Sequence, residues 1–173
     1  MGRDQWYLEI CDKIAEMSKC LSRKVGAIIV IDNSIIAQGY NGPPRGVPHC
    51  VERYDCDEEL KLIIKSVIGR INKQLCPRYN LGYGSGKGLE WCIAGHAERN
   101  ALINAARHGI KVKGATMYMN CGIPCTPCLI EIINAGIEEI VVIDLEYYDK
   151  MSKFLLEKSG LKFKLFELFE EEV

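Results

Sequence analysis

From Glu98 onward the chain alternates helical and extended segments, and that alternation limits the fold more than any other feature. Glu98 to His108 has a helical pattern that Gly109 ends, and Thr116 to Met119 reads as a short strand. Cys125 to Ala135 follows as a helix closed by Gly136, and Ile137 to Ile143 as the next strand. Tyr148 to Lys158 is helical up to Gly160, and Phe163 to Phe166 gives a last strand. Such runs imply parallel strands with crossover helices. Upstream, Tyr7, Ile10, Cys11, Ile14 and Met17 recur at threes and fours, which predicts a helix from Trp6 to Cys20. Val25 to Ile31 and Ile35 to Tyr40 flank the turn pair Asp32-Asn33 as a hairpin. The expectation is α/β, with helices on both faces of a mixed five-stranded sheet.

A length of 173 residues fits one domain, here 1–173. Within it Leu60, Ile63, Ile64, Val67, Ile68 and Ile71 share one side of a predicted helix from Glu58 to Leu75. Asn41 to Gly46 breaks regular structure, and Leu81 to Gly88 is a glycine-rich loop. Lys and Arg total 22 against 23 Asp and Glu, which argues against a nucleic-acid partner. No apolar run spans a bilayer, and Met1 to Leu8 lacks the apolar stretch of a signal peptide. The expected setting is cytoplasmic, without a membrane partner.

Nine cysteines are many for such a chain, and an odd count without a secretory signal favours thiols on metal over disulfides. Cys11 sits in a helical apolar pattern and reads as a small buried hydrophobe. Two segments carry chemistry: His96-Ala97-Glu98 and Pro124-Cys125-Thr126-Pro127-Cys128. A catalytic zinc takes three protein ligands and keeps a fourth position for water. His96, Cys125 and Cys128 supply those three, the two cysteines lying on one face of a first helical turn. Both segments open helices, whose positive ends favour thiolate. Glu98 is then placed to shuttle protons. Alone, a Cys-x-x-Cys pair serves equally as half a structural zinc site or a redox pair, and His-x-Glu arises by chance. Together they match the pattern of zinc nucleobase deaminases.

The chain resembles the deoxycytidylate (dCMP) deaminases of the cytidine deaminase superfamily, from roughly Trp6 to Leu165. The shared pieces are Ser18-Lys19-Cys20, Lys24 to Ile29, Gly39 to Pro43, Gly46 to Cys50, Ser85-Gly86, Glu90-Trp91-Cys92, His96 to Ala101 and Pro124 to Cys128. The resemblance implies a three-layer α/β/α cytidine-deaminase-like fold and hydrolysis of dCMP to dUMP and ammonia, supplying dUMP for thymidylate synthesis. Glu98 would pass a proton from water to the pyrimidine ring and then protonate the departing ammonia. Asn41, Ala97, Arg23, Lys24 and Tyr148 are implied in binding substrate; Tyr147 is the alternative to Tyr148, and Ser22 stands where relatives often carry a further arginine.

Cys20, Cys50, Cys76 and Cys92 fall where relatives often carry thiols, implying a second, structural Zn²⁺. His49 could replace Cys50, and Cys56 competes from a segment, around 53–75, that looks inserted relative to shorter relatives. One extra residue lies between Tyr118 and Pro124, which Gly122 could absorb, and it makes Cys121 a rival ligand. The resemblance further implies a homo-hexamer activated by dCTP with Mg²⁺ and inhibited by dTTP, with Asn41, Gly42, Arg45 and His49 at the effector pocket. Two other readings compete. A deaminase of adenosine in transfer RNA uses the same zinc motifs but needs a basic surface. A zinc-stabilised interaction module would have no use for Glu98.

Overall fold

The computed structural model describes residues 2–84 and 86–166. Met1 and Ser85, which enter the readings of the N-terminus and the glycine-rich loop, lie outside the described residues. In chain order the elements are α1 (Arg3–Ala15), β1 (Gly26–Ile31), β2 (Ser34–Tyr40), α2 (Cys50–Cys56), α3 (Glu58–Ile68) and α4 (Pro77–Asn80). They continue as α5 (Ala97–Arg107), β3 (Thr116–Met119), α6 (Thr126–Asn134), β4 (Glu139–Val142), α7 (Lys150–Ser159) and β5 (Lys162–Leu165). The chain divides into two compact units. Among the described residues the first comprises 2–17, 25–41 and 96–166; the second comprises 18–24, 42–84 and 86–95, and contains the 53–75 segment. Among the described residues no helix is long and apolar enough to cross a membrane.

The first unit is built on one five-stranded sheet in the order β2-β1-β3-β4-β5. Strand β1 runs antiparallel to β2 and to β3, while β3, β4 and β5 are parallel, giving the mixed sheet expected. Asp32 and Asn33 close the hairpin with φ of 49° and 61°, the left-handed pair that matches strand twist in a two-residue turn. Alternate side chains of the central strands feed two cores. Ile28, Val30, Tyr118 and Val141 pack with Tyr7, Leu8, Cys11 and Ile14 of α1. On the other face Ala27, Ile29, Met117, Met119, Ile140 and Val142 meet Ala101 of α5, Leu129 and Ile132 of α6, and Leu156 of α7. A strand covered on both faces must be apolar throughout, which is why β1 reads as an unbroken hydrophobic run. These are the three α/β/α layers.

Two glycines set how closely helices lie on the hairpin. A Cβ on Gly26 would fall 2.1 Å from the Cys11 carbonyl oxygen in α1. A Cβ on Gly39 would fall 2.3 Å from Ala101 N and 2.4 Å from the Ala97 carbonyl oxygen in α5. Both obstacles are backbone and cannot rotate away. Helix α1 stops at Ala15, short of the expected Cys20, because Met17 is 64% exposed and its place in the apolar spacing has no packing behind it. Cys11 is a buried hydrophobe as expected: its thiol, pushed up to about 12 by burial, faces the Tyr118 carbonyl at 3.4 Å.

In the second unit α3 starts at the Asp57 cap, whose carboxylate accepts from Leu60 N–H at 3.0 Å. It ends at Gly69 with φ of 80°, not at Leu75, because a left-handed glycine terminates the intrahelical ladder. Tyr54, Leu60 and Ile64 form a small core joined by Leu21, Ile71, Leu81 and Trp91. Arg53 holds this unit internally, with NH2 on Asp57 at 2.8 Å and NH1 on the Trp91 carbonyl at 2.8 Å.

Candidate metal centre

Helices α5 and α6 each begin with a metal-ligand type of residue at the cap position: His96 precedes α5 and Cys125 precedes α6. Cys128 stands in the first turn of α6 and Glu98 in the first turn of α5. The ligand atoms of His96, Cys125 and Cys128 all lie within 4.8 Å of one another. Among the described residues this is the group of three or more His, Cys, Asp or Glu brought so close. His96 Nδ1 is 3.3 Å from Cys125 Sγ and 3.3 Å from Cys128 Sγ. A tetrahedral zinc, with bonds of about 2.3 Å to sulfur and 2.0 Å to nitrogen, spaces such ligands by roughly 3.5–3.8 Å. The donors are one imidazole and two buried thiols, so the residues present fit zinc with one coordination position left over. Cys121, the rival ligand, is buried but lies outside this group, its carbonyl accepting from Ile143 N–H at 3.2 Å.

Charge follows from this geometry. Hydrogen bonding from Cys128, and then from His96, draws the Cys125 thiol down to about 4 against the opposing effect of burial. Cys128 is pushed upward by its bond to Cys125 and by burial. His96 is raised, first through its bond to Cys125 and against burial. Glu98 is 4% exposed, and burial raises its carboxyl above the ordinary value. Next to it, Arg99 forks onto Glu131 of α6, with contacts of 3.0 and 2.8 Å.

The flanks of the centre rest on groups that the sequence reading did not single out. Asp149, the cap of α7, accepts from Thr126 N–H at 2.9 Å, from the Thr126 hydroxyl, and from Ser152 N–H at 2.8 Å. Against the burial that raises it, the bonds from Thr126 and Ser152 hold its carboxyl down to about 2. The Ser152 hydroxyl donates to the Pro124 carbonyl at 3.0 Å. An Asp-x-x-Ser spacing at a helix start is the signal that finds this pair. Asn120 accepts from Gly26 N–H at 2.8 Å and donates to Asp12 at 2.8 Å, tying β3 to β1 and α1.

The remaining candidates fall as follows. In the first unit Asn41 is buried, its Oδ1 accepting from Val25 N–H at 2.8 Å; Ala97 is fully buried and Tyr148 is exposed. In the second unit Arg23, Lys24 and Arg45 are exposed, Gly42 bridges to Gly95, and His49 caps α2. Cys50 and Cys76 are buried, Cys20 and Cys92 half-buried and Cys56 exposed. Burial pushes the Cys50 thiol up to about 11, helped by Cys76, Cys20 and Cys92 in that order, so these three share its electrostatic surroundings. They do not form a cluster as tight as that at His96.

With the site on the page, comparison with known proteins gives its class. Residues 1–144 match the family model of the cytidine and deoxycytidylate deaminase zinc-binding region, and the chain belongs to that family. It is 31% identical over 161 residues to deoxycytidylate deaminase of Schizosaccharomyces pombe, covering 93% of this chain and 43% of that one. It is 35% identical over 156 residues to deoxycytidylate deaminase of Enterobacteria phage T4, covering 83% of this chain and 77% of that one. The chain thus spans less than half the length of the yeast relative. Its fold is like that of a crystal structure of dCMP deaminase from the cyanophage S-TIM5 in complex with dCMP and dUMP, with a TM-score of 0.65 at 22% identity, covering 94% and 95% of the two chains.

Proposed function

We propose that the protein hydrolyses dCMP to dUMP and ammonia in the cytoplasm, with 1–173 acting as one catalytic domain. The observation that carries this reading is a buried carboxyl, Glu98, in the same first helical turn that follows the ligand His96, in a chain whose relatives include deoxycytidylate deaminases. His96, Cys125 and Cys128 would hold the zinc, which when bound supplies Lewis-acid activation of water. Glu98 does the proton work. Its carboxylate accepts a proton from the attacking water and gives it to the ring nitrogen next to the amino-bearing carbon. The regenerated carboxylate takes the second proton from the newly added hydroxyl and passes it to the amine as the C–N bond breaks, so the ring keeps the oxygen as a carbonyl and ammonia leaves. Burial favours the protonated form of Glu98, which helps it hold that proton between transfers. Asn41, Ala97, Arg23, Lys24 and Tyr148 are proposed for nucleotide binding from the resemblance.

The same reading includes a structural zinc on Cys20, Cys50, Cys76 and Cys92, with His49 as alternate for Cys50. The shared surroundings of the four thiols support it. Regulation by dCTP with Mg²⁺ and by dTTP, through Asn41, Gly42, Arg45 and His49, and assembly as a homo-hexamer complete the proposal. Ammonia release from zinc-loaded protein, assayed with dCMP, dCTP, cytidine and a transfer RNA fragment, tests the activity. Turnover of dCMP well above the others is expected, and turnover of another substrate without dCMP overturns it. Native mass spectrometry finding one zinc per chain removes the second metal site.

A further inference from the structure

Cys125 occupies a position that a cysteine fills poorly. A helix start leaves its first backbone N–H groups without partners, and Ser, Thr, Asp or Asn at the cap normally serves them through side-chain oxygen. Cys125 has no side-chain oxygen to do so, and what it turns toward the Cys128 N–H is its sulfur. Pro127, the second residue of α6, has no N–H to satisfy. The Thr126 N–H does, and its acceptor comes from another helix: Asp149, at 2.9 Å. On the other side of Cys125, the buried Pro124 carbonyl receives the hydroxyl of Ser152, which is itself fully buried, at 3.0 Å. The Ser152 N–H donates to Asp149 at 2.8 Å, and the one hydroxyl proton is shared between the Pro124 carbonyl and Asp149 Oδ1, both at 3.0 Å. The peptide groups flanking Cys125 are thus both held by one two-residue clamp at the start of α7.

We infer that Asp149 and Ser152 are positioning residues of the metal centre, fixing the Pro124–Thr126 backbone so that Cys125 Sγ is aimed at the point shared with His96 and Cys128. Asp149 serves the Thr126 N–H, which a cap side chain on Cys125 would not reach, and so holds the backbone beside the ligand from outside its own helix. The Thr126 hydroxyl also donates to Asp149, so the clamp grips side chain and backbone of the same residue. Bonds that orient ligands from outside the coordination sphere commonly contribute about 10- to 100-fold in metal affinity. The inference rests on the zinc centre and not on dCMP as substrate, so metal binding is the readout.

The test is a cobalt(II) titration of metal-free protein, with a competing chelator. The visible spectrum separates a His–Cys–Cys site from a four-thiolate site. D149N, S152A and T126V are compared with wild type, and far-UV circular dichroism and the thermal midpoint of each metal-free protein are recorded. The expected result is an apparent dissociation constant at the His–Cys–Cys site raised about 10- to 100-fold in D149N. S152A and T126V, which each remove one arm of the clamp and leave the carboxylate, move in the same direction by less. A lower thermal midpoint with cobalt affinity within twofold of wild type in all three variants makes the clamp merely a helix cap and overturns the inference. Loss of ammonia release with unchanged cobalt affinity overturns it as well. Tight cobalt binding without dCMP turnover in wild type defeats the substrate assignment and leaves the clamp standing.

Discussion

Asn41 and Val25 exchange two hydrogen bonds: Val25 N–H donates to Asn41 Oδ1 at 2.8 Å, and Asn41 N–H donates to the Val25 carbonyl at 3.1 Å. The carboxamide oxygen is committed to backbone at the mouth of the β1–β2 hairpin, which fixes the direction of its NH₂ group. Two substitutions separate a turn asparagine from a substrate-binding one. Asn41→Asp keeps an oxygen for Val25 but lacks the NH₂ donors, whereas Asn41→Ala loses both. N41A is expected to cost about 1–3 kcal/mol in urea denaturation, since it strands the Val25 N–H. N41D is expected to unfold closer to wild type and to lose about tenfold or more in kcat/KM for dCMP, a loss of at least one hydrogen bond. Wild-type kcat/KM in N41D would remove Asn41 from the substrate site.

Glu98→Gln preserves shape and burial while abolishing proton exchange. Ammonia release should fall by about 10²–10⁴-fold or more, with zinc content and thermal midpoint close to wild type. Measuring zinc in the same sample separates loss of chemistry from loss of metal. Near-normal turnover in a zinc-replete variant would remove Glu98 from the mechanism.

The acid limb of stability should carry a contribution from Asp149. Its carboxyl is held down to about 2 from an ordinary 3.8, so the folded state favours the ionised form. The folded chain then binds fewer protons than the unfolded one between those values. Stability from this group is fully present above about pH 4 and fades as pH falls toward about 2. Urea denaturation of metal-free wild type and D149N across pH 2–6 should show the gap between them closing toward the acid end. A gap that stays constant over that range contradicts the assignment.

The Arg99–Glu131 fork joins α5 to α6 beside the metal centre, yet its side chains are 43% and 38% exposed. Solvent screening should limit it. A double-mutant cycle with Arg99→Gln and Glu131→Gln is expected to return a coupling of about 1 kcal/mol or less, shrinking in added salt. A coupling several times larger would mean that the pair is effectively desolvated.

The metal trio was legible because local rules place it. His96 and Cys125 each precede a helix of clear period, and three residues of helix bring Cys128 back onto the face of Cys125. The hairpin was legible from Asp32-Asn33, and β3 from its apolar run. Other features needed contacts that no local window contains. Helix α2 went unanticipated because Glu52, Arg53 and Asp55 dilute its apolar pattern, and Arg53 is buried only through Asp57 and the Trp91 carbonyl. The end of α3 was overrun because Gly69 interrupts an apolar spacing that resumes at Ile71. Asp149 looks like an ordinary cap until its other oxygen contacts, 23 residues away, are seen.

The missing side chain at Gly39 has a reach beyond packing. The Ala97 carbonyl it lies against belongs to the residue between His96 and Glu98. A methyl group there would act as a wedge under the start of α5, lifting imidazole and carboxyl together away from the sulfurs on α6. The accuracy of a centre whose imidazole nitrogen sits 3.3 Å from each sulfur is thus underwritten by one hydrogen atom on a neighbouring strand.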